Sequence, residues 1–596
     1  MGSAPRTLSW LATAFCFLFP PLHHMGPIIG NWGTALLGAT GDTIHGVWMT
    51  WHYRQSVFLA GEPLFWTDRL MAPVGTTLHY AGSCLVPSVL VAPVTAWAGA
   101  PAGYHTALVL LTLLAGLGPF LLVRRLTGSV PAARFAAFAA AMSPAFAQRI
   151  EEGHYTLLSM GCLPVAVWLF LREIVQPRRP WAGSATLVAG FMGLVFLTDY
   201  YMLIYCVLIF AALALGLGAS RAASRDWPGL ADLARRGGAA AALFAAGFYV
   251  FTLATPFQNA MMWNDSNPHP WAGRELGIDP AYLFAPRAES WWLAGWFGLK
   301  APSPALNPER LNYLGWFAMA LAGVGTVALW RRSRWLAATL AVLSGITFLL
   351  SLGAVPQFAG KPFTVPAPWD RLLLYQSWRN VPILSQARTP GRWILVADMA
   401  FITAAGAGFA ALHRRMAGWR APAFMSAALL AVMFEYGHRP IRTVAVNYPA
   451  AYAAHIAPPA TPLDMIVETP IGLAWGTGSV GPRDTPVMRM VWATRHGYRT
   501  VSAYLGKLSA ERIARLRAEP FMAELFRLQD EPPAEPAVTE ADRVRVRDWV
   551  RANHLCYVVV DKNSREAATR RYLDALGFLA VSGEDASHAI YAVQLP

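Results

Sequence analysis

The stretch Tyr104–Arg125, YHTALVLLTLLAGLGPFLLVRR, is apolar along nearly its whole length and ends on the pair Arg124-Arg125. A helix rises about 1.5 Å per residue, so a run of this length crosses the roughly 30 Å hydrocarbon layer of a bilayer. Arginines at the end of such a run are retained on the cytoplasmic face, which fixes its direction. The same pattern returns at Trp181–Leu197, Gly238–Thr255, Trp335–Leu352 and Trp393–Leu412. Composition agrees: 55% of the residues are hydrophobic and only 14% are charged, against about 25% charged in a soluble globular domain. The chain reads as an α-helical polytopic membrane protein.

Basic clusters fall after every second crossing, at Arg124-Arg125, Arg172 with Arg178-Arg179, Arg221 through Arg235-Arg236, Arg331-Arg332 with Arg334, and His413-Arg414-Arg415. Counted this way, about eleven helices cross, with the N-terminus inside and the C-terminus outside. The spans fall near 7–25, 104–123, 131–147, 155–172, 181–198, 200–218, 238–256, 311–330, 335–352, 391–412 and 420–436. Cys84–Gly99 is short and carries Pro87 and Pro93, and a crossing there would put Arg124-Arg125 outside. It reads as a juxtamembrane or re-entrant piece.

The net charge of +14 does not point to nucleic acid. Much of the excess lies in short inner loops, where it sets topology, and no zinc, RNP or helix-turn-helix pattern accompanies it. Five cysteines without a CxxC spacing give neither a disulfide framework nor a zinc site. Residues 1–25 lack a small-x-small cleavage pattern and read as an uncleaved first helix.

Residues 1–436 form the membrane core, with long outer loops at 26–103, 257–310 and 353–390. From 437 to 596 the composition becomes that of a soluble α/β domain outside the membrane. Strands are expected at Asp464–Glu468, Cys556–Asp561 and Ile590–Gln594, and helices at Ser509–Leu528 and Glu540–His554.

The outer connections hold the candidate chemistry. After Gly41-Asp42, the residues Ile44, Val47, Trp48, Trp51 and Phe58 recur at helical spacing, with His45, His52 and Arg54 off that stripe. This is the pattern of an amphipathic helix lying in the interface. Asp42 at its start either caps the helix or acts on a substrate. In Arg149-Ile150-Glu151-Glu152-Gly153-His154, Glu151, Glu152 and His154 either ligate a divalent ion or sugar hydroxyls, or Arg149 and Glu152 simply pair in a turn. Asp199-Tyr200-Tyr201 places a carboxylate beside aromatics at a membrane edge. In Gln386-Ala387-Arg388-Thr389-Pro390, Thr389 is expected to cap and Pro390 to open a helix. Arg388 and Arg392 then flank its N-terminus, an arrangement that suits a phosphate or, alternatively, lets both arginines snorkel to headgroups.

The order of these features resembles the GT-C superfamily of polytopic glycosyltransferases. The resemblance is carried by the first-loop Gly41-Asp42, the span ending Arg124-Arg-Leu-Thr-Gly-Ser129, the Ala141-Met-Ser-Pro144 entry to an acidic second outer loop, the Gly153-His154 turn and the outer tail. It is similar to an uncharacterised bacterial branch, and it implies a bacterial cytoplasmic membrane location. It further implies that a sugar passes from a polyprenyl-phosphate donor to an extracytoplasmic glycan, lipid or protein acceptor. Asp42 would be the base or a metal ligand, Glu151 and Glu152 would complete an Mg2+ or Mn2+ site, and Arg388 or Arg392 would hold the lipid phosphate. No organic cofactor is expected. Asp42 is followed by Thr43, and neither a second-loop Asp-x-Asp nor a Trp-Trp-Asp motif occurs, which departs from oligosaccharyltransferases. A flippase or transporter and a noncatalytic scaffold are the rival readings. The former is expected to carry ionisable residues at the bilayer midplane, and the spans are nearly free of charge.

Reporters fused after Arg125, Arg236 and Arg415 should therefore read cytoplasmic, and those after Gly99, Pro268 and Pro596 external. An external signal at Arg125 would mean that Cys84–Gly99 crosses.

Overall fold

The computed structural model describes residues 4–38, 41–59, 61–79, 84–255, 277–285, 312–378, 389–475, 478–482, 485–506, 508–531, 538–563 and 566–595, the side chains of 4–8, 485 and 486 excepted. The chain forms two compact units. Among the described residues, one comprises 4–30, 105–255 and 277–442, and the other comprises 31–104 and 443–595. A simple division at residue 436 therefore does not describe the fold, because the first long loop clusters with the tail.

The first unit is helical. Among the described residues, seven helices are long and apolar enough to cross a membrane: Ala92–Thr127, Val130–Glu151, Tyr155–Val175, Tyr200–Ala223, Trp227–Ala254, Arg334–Ser351 and Pro390–His413. Ala4–Met25, Trp181–Phe196, Trp316–Arg332 and Arg420–Tyr436 occupy the remaining expected spans. Local sequence explains the breaks. Gly99, with φ 88° and ψ 170° inside Ala92–Thr127, adopts a backbone open essentially to glycine alone. Together with the short helix Leu85–Leu90, this divides Cys84–Gly99 into two helical pieces. The expected helix over 131–147 is also broken: Val130–Ala141 stops, Ser143 accepts a hydrogen bond from the Phe146 N–H at 3.3 Å, and Pro144 opens Pro144–Glu151. Proline suits that first position because it lacks the N–H that would have no helical partner.

Packing in this unit relies on small residues. A Cβ at Gly325 would fall on the Ala404 carbonyl oxygen, and one at Gly408 on that of Leu321, so Trp316–Arg332 and Ile394–His413 meet backbone to backbone. Lipid supplies no hydrophobic drive between helices, and close van der Waals contact takes its place. Phe135 stacks on Phe409 at 4.9 Å in the same layer.

The second unit is α/β. Its main sheet has the order Arg499–Thr500, Met465–Thr469, Leu555–Asp561, His588–Val593, Leu579–Glu584. The first three strands run parallel, and His588–Val593 is antiparallel to both of its neighbours. Tyr452, Ile466, Val559 and Ile590 pack in its core. The loop enters this unit through Ala35–Leu37, which pairs antiparallel with Thr443–Ala445. The helix expected at Ser509–Leu528 is two helices, Ala510–Ala518 and Pro520–Asp530, because Pro520 cannot continue the first. Gly41–Arg54 departs most from expectation. Thr43 through Tyr53 are all buried, so the helix is enclosed by protein and does not lie in a headgroup layer.

Gly408→Leu should destabilise the solubilised protein by about 1–3 kcal/mol through overpacking. Gly323→Leu, where a new Cβ meets no atom within 4 Å, should leave thermal unfolding unchanged.

Candidate functional site

Charged groups gather in the first unit where helices end. Arg149 is buried near the end of Pro144–Glu151, and its Nη1 lies 3.1 Å from His154 Nδ1. Gly153 makes the turn between them with φ 70°. Asp199 is buried at the start of Tyr200–Ala223, where its Oδ1 accepts from the Met202 N–H at 2.8 Å. Burial pushes the Asp199 carboxyl above the usual carboxylate range, opposed by hydrogen bonds from Thr156 and the Met202 N–H and by the charge of Arg392. Arg392 sits in the turn Pro390–Trp393, with its guanidinium 5.1 Å from the Tyr201 ring centroid. The neighbouring Trp393 packs on Tyr205 at 4.8 Å. Arg149, His154, Asp199, Tyr201 and Arg392 thus present two guanidinium groups, an imidazole and a carboxylate at the ends of apolar helices.

Glu151 and Glu152 are half-buried at the end of the same short helix as Arg149. Tyr200 stacks on Phe196 at 5.3 Å. Pro390 occupies the expected first position of its turn, whereas the Thr389 side chain makes no capping hydrogen bond. Arg388 lies outside the described residues.

An apolar groove in this unit is lined by Pro119, Met160, Pro164, Leu395 and Ile402, with Asp398 among them. Asp398 Oδ1 accepts from Asn312 Nδ2 at 2.9 Å. Sequence reasoning passed over it, although a carboxylate inside an apolar run is itself a signal. The spans are therefore not as free of charge as composition suggested.

In the second unit Asp42 is half-buried in the first turn of Gly41–Arg54. The Tyr504 hydroxyl donates to its Oδ1 at 3.1 Å. A Cβ at Gly41 would approach the Tyr504 ring to 2.7 Å, so the glycine makes room for the tyrosine that holds the carboxylate. No local signal in the sequence ties Tyr504 to Asp42. His45 is buried, and its Nε2 has no hydrogen-bond partner among the described residues. Neither Asp42 nor Glu151 nor Glu152 belongs to a set of three His, Cys, Asp or Glu side chains with metal-ligand spacing among the described residues.

The sequence pattern of the family described as "Domain of unknown function (DUF6311)" matches residues 10–434. No curated protein matches. Among solved structures, the chain is similar to the oligosaccharyltransferase AglB of Archaeoglobus fulgidus in complex with an inhibitory peptide and a dolichol-phosphate, with 12% identity, a TM-score of 0.44, and 94% of this chain covering 70% of that one. It is similar to ArnT of Cupriavidus metallidurans bound to undecaprenyl phosphate, at 14% identity and a TM-score of 0.39, covering 99% and 98%. It is also similar to the mycobacterial arabinofuranosyltransferase AftD, at 14% identity and a TM-score of 0.46, covering 99% of this chain and 42% of that one. These are likenesses of fold.

The second unit carries a pH signature of its own. Burial pushes His45 down to about 4 and His79 down to about 4; burial and then Arg69 push His52 down to about 3. Each is neutral when folded and regains an ordinary value near 6.5 when unfolded, so the unfolded chain binds more protons in acid. Their stabilisation is complete above about pH 6.5 and is lost as pH falls toward 4, with a slope approaching about 1.4 kcal/mol per pH unit for each histidine. Trp48 stacks on His52 at 4.9 Å, so its fluorescence reports the transition. His52→Gln should flatten that pH dependence.

Proposed function

The chain belongs to the DUF6311 family, and we propose that it is an integral membrane glycosyltransferase of the GT-C kind. It would move a sugar from a polyprenyl-phosphate donor to an extracytoplasmic acceptor. The observation that carries this reading is the presence in one helical unit of Arg149, Arg392 and an apolar groove. A polyprenyl phosphate has that dual character, an anionic head on a long apolar tail. Guanidinium groups bind phosphate oxygens in two-point fashion. Fixed beside the donor, they would stabilise the charge that develops as a phosphate departs.

Arg392 and Arg388 are assigned to the donor phosphate, with Arg149 held by His154 as a further positive group. Asp199 fixes the start of Tyr200–Ala223 and balances Arg392, and Tyr200, Glu151 and Glu152 are assigned to the sugar. Asp42 is assigned as the base and Tyr504 as the group that orients it, with His45 on the same helix assigned to substrate binding. The acceptor oxygen forms a bond to the anomeric carbon while the bond from that carbon to the phosphate oxygen breaks. The acceptor proton passes to the Asp42 carboxylate and the lipid phosphate leaves with the electron pair. One displacement inverts the anomeric centre. Mg2+ or Mn2+ at Asp42, Glu151 or Glu152 would add charge to bind the donor, and no step here depends on it.

A lipid-phosphate transporter keeps one observation in its favour, the carboxylate of Asp398 inside a span. The readings separate on Asp42. Asp42→Asn should leave polyprenyl phosphate binding intact and lower turnover by about 10²–10⁴-fold, the usual contribution of a general base. Arg392→Ala should weaken binding of polyprenyl phosphate by about 2–5 kcal/mol, with partial rescue by Lys. Unchanged affinity in Arg392→Ala would move the phosphate site elsewhere.

A further inference from the structure

Three histidines that none of the preceding chemistry uses meet in the first unit. His23 and His24 lie in the last turn of the helix Ala4–Met25, and His438 is two residues beyond Arg420–Tyr436. One ring nitrogen from each lies within 4.8 Å of the other two.

The hydrogen bonds around two of these rings decide which nitrogens carry protons. His24 Nε2 is 2.9 Å from the Ala141 carbonyl oxygen, and His438 Nδ1 is 2.7 Å from the Arg439 carbonyl oxygen. A carbonyl oxygen can only accept, so each of these nitrogens is the protonated one. In the neutral rings the lone pairs then sit on His24 Nδ1 and His438 Nε2, which face each other at 3.0 Å in nearly parallel rings. Two lone pairs at that distance repel unless something positive lies against both. His23 supplies a third nitrogen, since its Nε2 is buried and has no hydrogen-bond partner among the described residues. The His23 ring centroid is 4.7 Å from that of His438.

We propose that His23, His24 and His438 bind one divalent transition-metal ion of the zinc class. Imidazole nitrogen is the ligand such ions prefer, and two nitrogens each about 2.0–2.1 Å from an ion come naturally to about 3.0–3.4 Å from one another. A carbonyl accepting the far N–H of a ligating histidine is the usual outer partner, and it fixes the tautomer that points the free nitrogen at the metal. Here Ala141 and Arg439 supply it. Two aromatic rings flank the cluster: Phe19 stacks on His23 at 5.8 Å and Phe146 lies 5.8 Å from His24. The ion ties the end of the first helix to the chain leaving the last one, and through Ala141 to the end of Val130–Ala141. Its role is to hold these helix ends in register, and it is separate from any cation at Asp42, Glu151 or Glu152.

The test uses the full-length chain purified in detergent with a histidine-free tag. Metal content by inductively coupled plasma mass spectrometry should be about one zinc-class ion per chain, and Co2+ substitution should give visible d–d bands of a nitrogen-ligated site. His23→Gln and His438→Gln should each lower ion affinity at least about 10-fold, and chelation should lower the unfolding temperature of the parent but not of His438→Gln. Asp42→Asn should retain the ion. The proposal is overturned if the parent holds less than about a tenth of an ion per chain and micromolar Zn2+ leaves its unfolding temperature unmoved. That result would mean that the facing nitrogens share a proton. It is equally overturned if both Gln variants, eluting at the parental size, keep the parental metal content.

Discussion

A buried carboxylate, a buried guanidinium group and a half-buried one at the ends of apolar helices form the constraint on which the first unit depends. Each of these charges would be costly in isolation. Asp199 is made tolerable by the Met202 N–H, Thr156 and Arg392, and Arg392 in turn spreads over the Tyr201 ring. The same contacts set the local fold. Asp199 starts one helix, Arg392 lies in the turn that opens another, and Arg149 with His154 closes the turn after Pro144–Glu151. The connections between these helices are thus fixed by the charged groups themselves, and a change in one of them alters both local geometry and local charge.

Close helix contact is the counterpart of this arrangement. Gly325 and Gly408 let two spans approach until only backbone separates them, and Asp398 projects from one of these helices to Asn312. Only one oxygen of that carboxyl meets an amide donor; Oδ2 is buried with no hydrogen-bond partner among the described residues. An apolar groove lined by Pro119, Met160, Pro164, Leu395 and Ile402 lies beside Asp398, and the helices around it satisfy their backbone groups internally. In the second unit the equivalent constraint is at Gly41, whose missing side chain admits Tyr504 to the Asp42 carboxylate.

Much of the helical architecture was legible in the sequence because apolar runs and arginine clusters are local signals, and the tail strands announced themselves as short β-branched runs. What was not legible has physical reasons. The apolar stripe of Gly41–Arg54 looks the same whether it faces lipid or protein, so the buried helix read as an interfacial one. Pairing of Ala35–Leu37 with Thr443–Ala445 joins segments far apart in sequence, and no periodicity reports it. Pro520 did carry the information that one helix was two. Asp42, Arg149, His154, Asp199 and Arg392 were all visible as residue types in connections. The partners that orient two of them, Tyr504 for Asp42 and Thr156 for Asp199, were not, because tertiary contacts choose them.

Turnover tests the central claim most directly. Purified protein incubated with a panel of polyprenyl-phosphate sugars and envelope glycan acceptors should release free polyprenyl phosphate from one donor, detected by mass spectrometry. The release should depend on acceptor and yield a product inverted at the anomeric carbon. Tight binding of polyprenyl phosphate, with no release from any donor in the panel and with lipid moved across reconstituted vesicles, would contradict the account and make the chain a transporter.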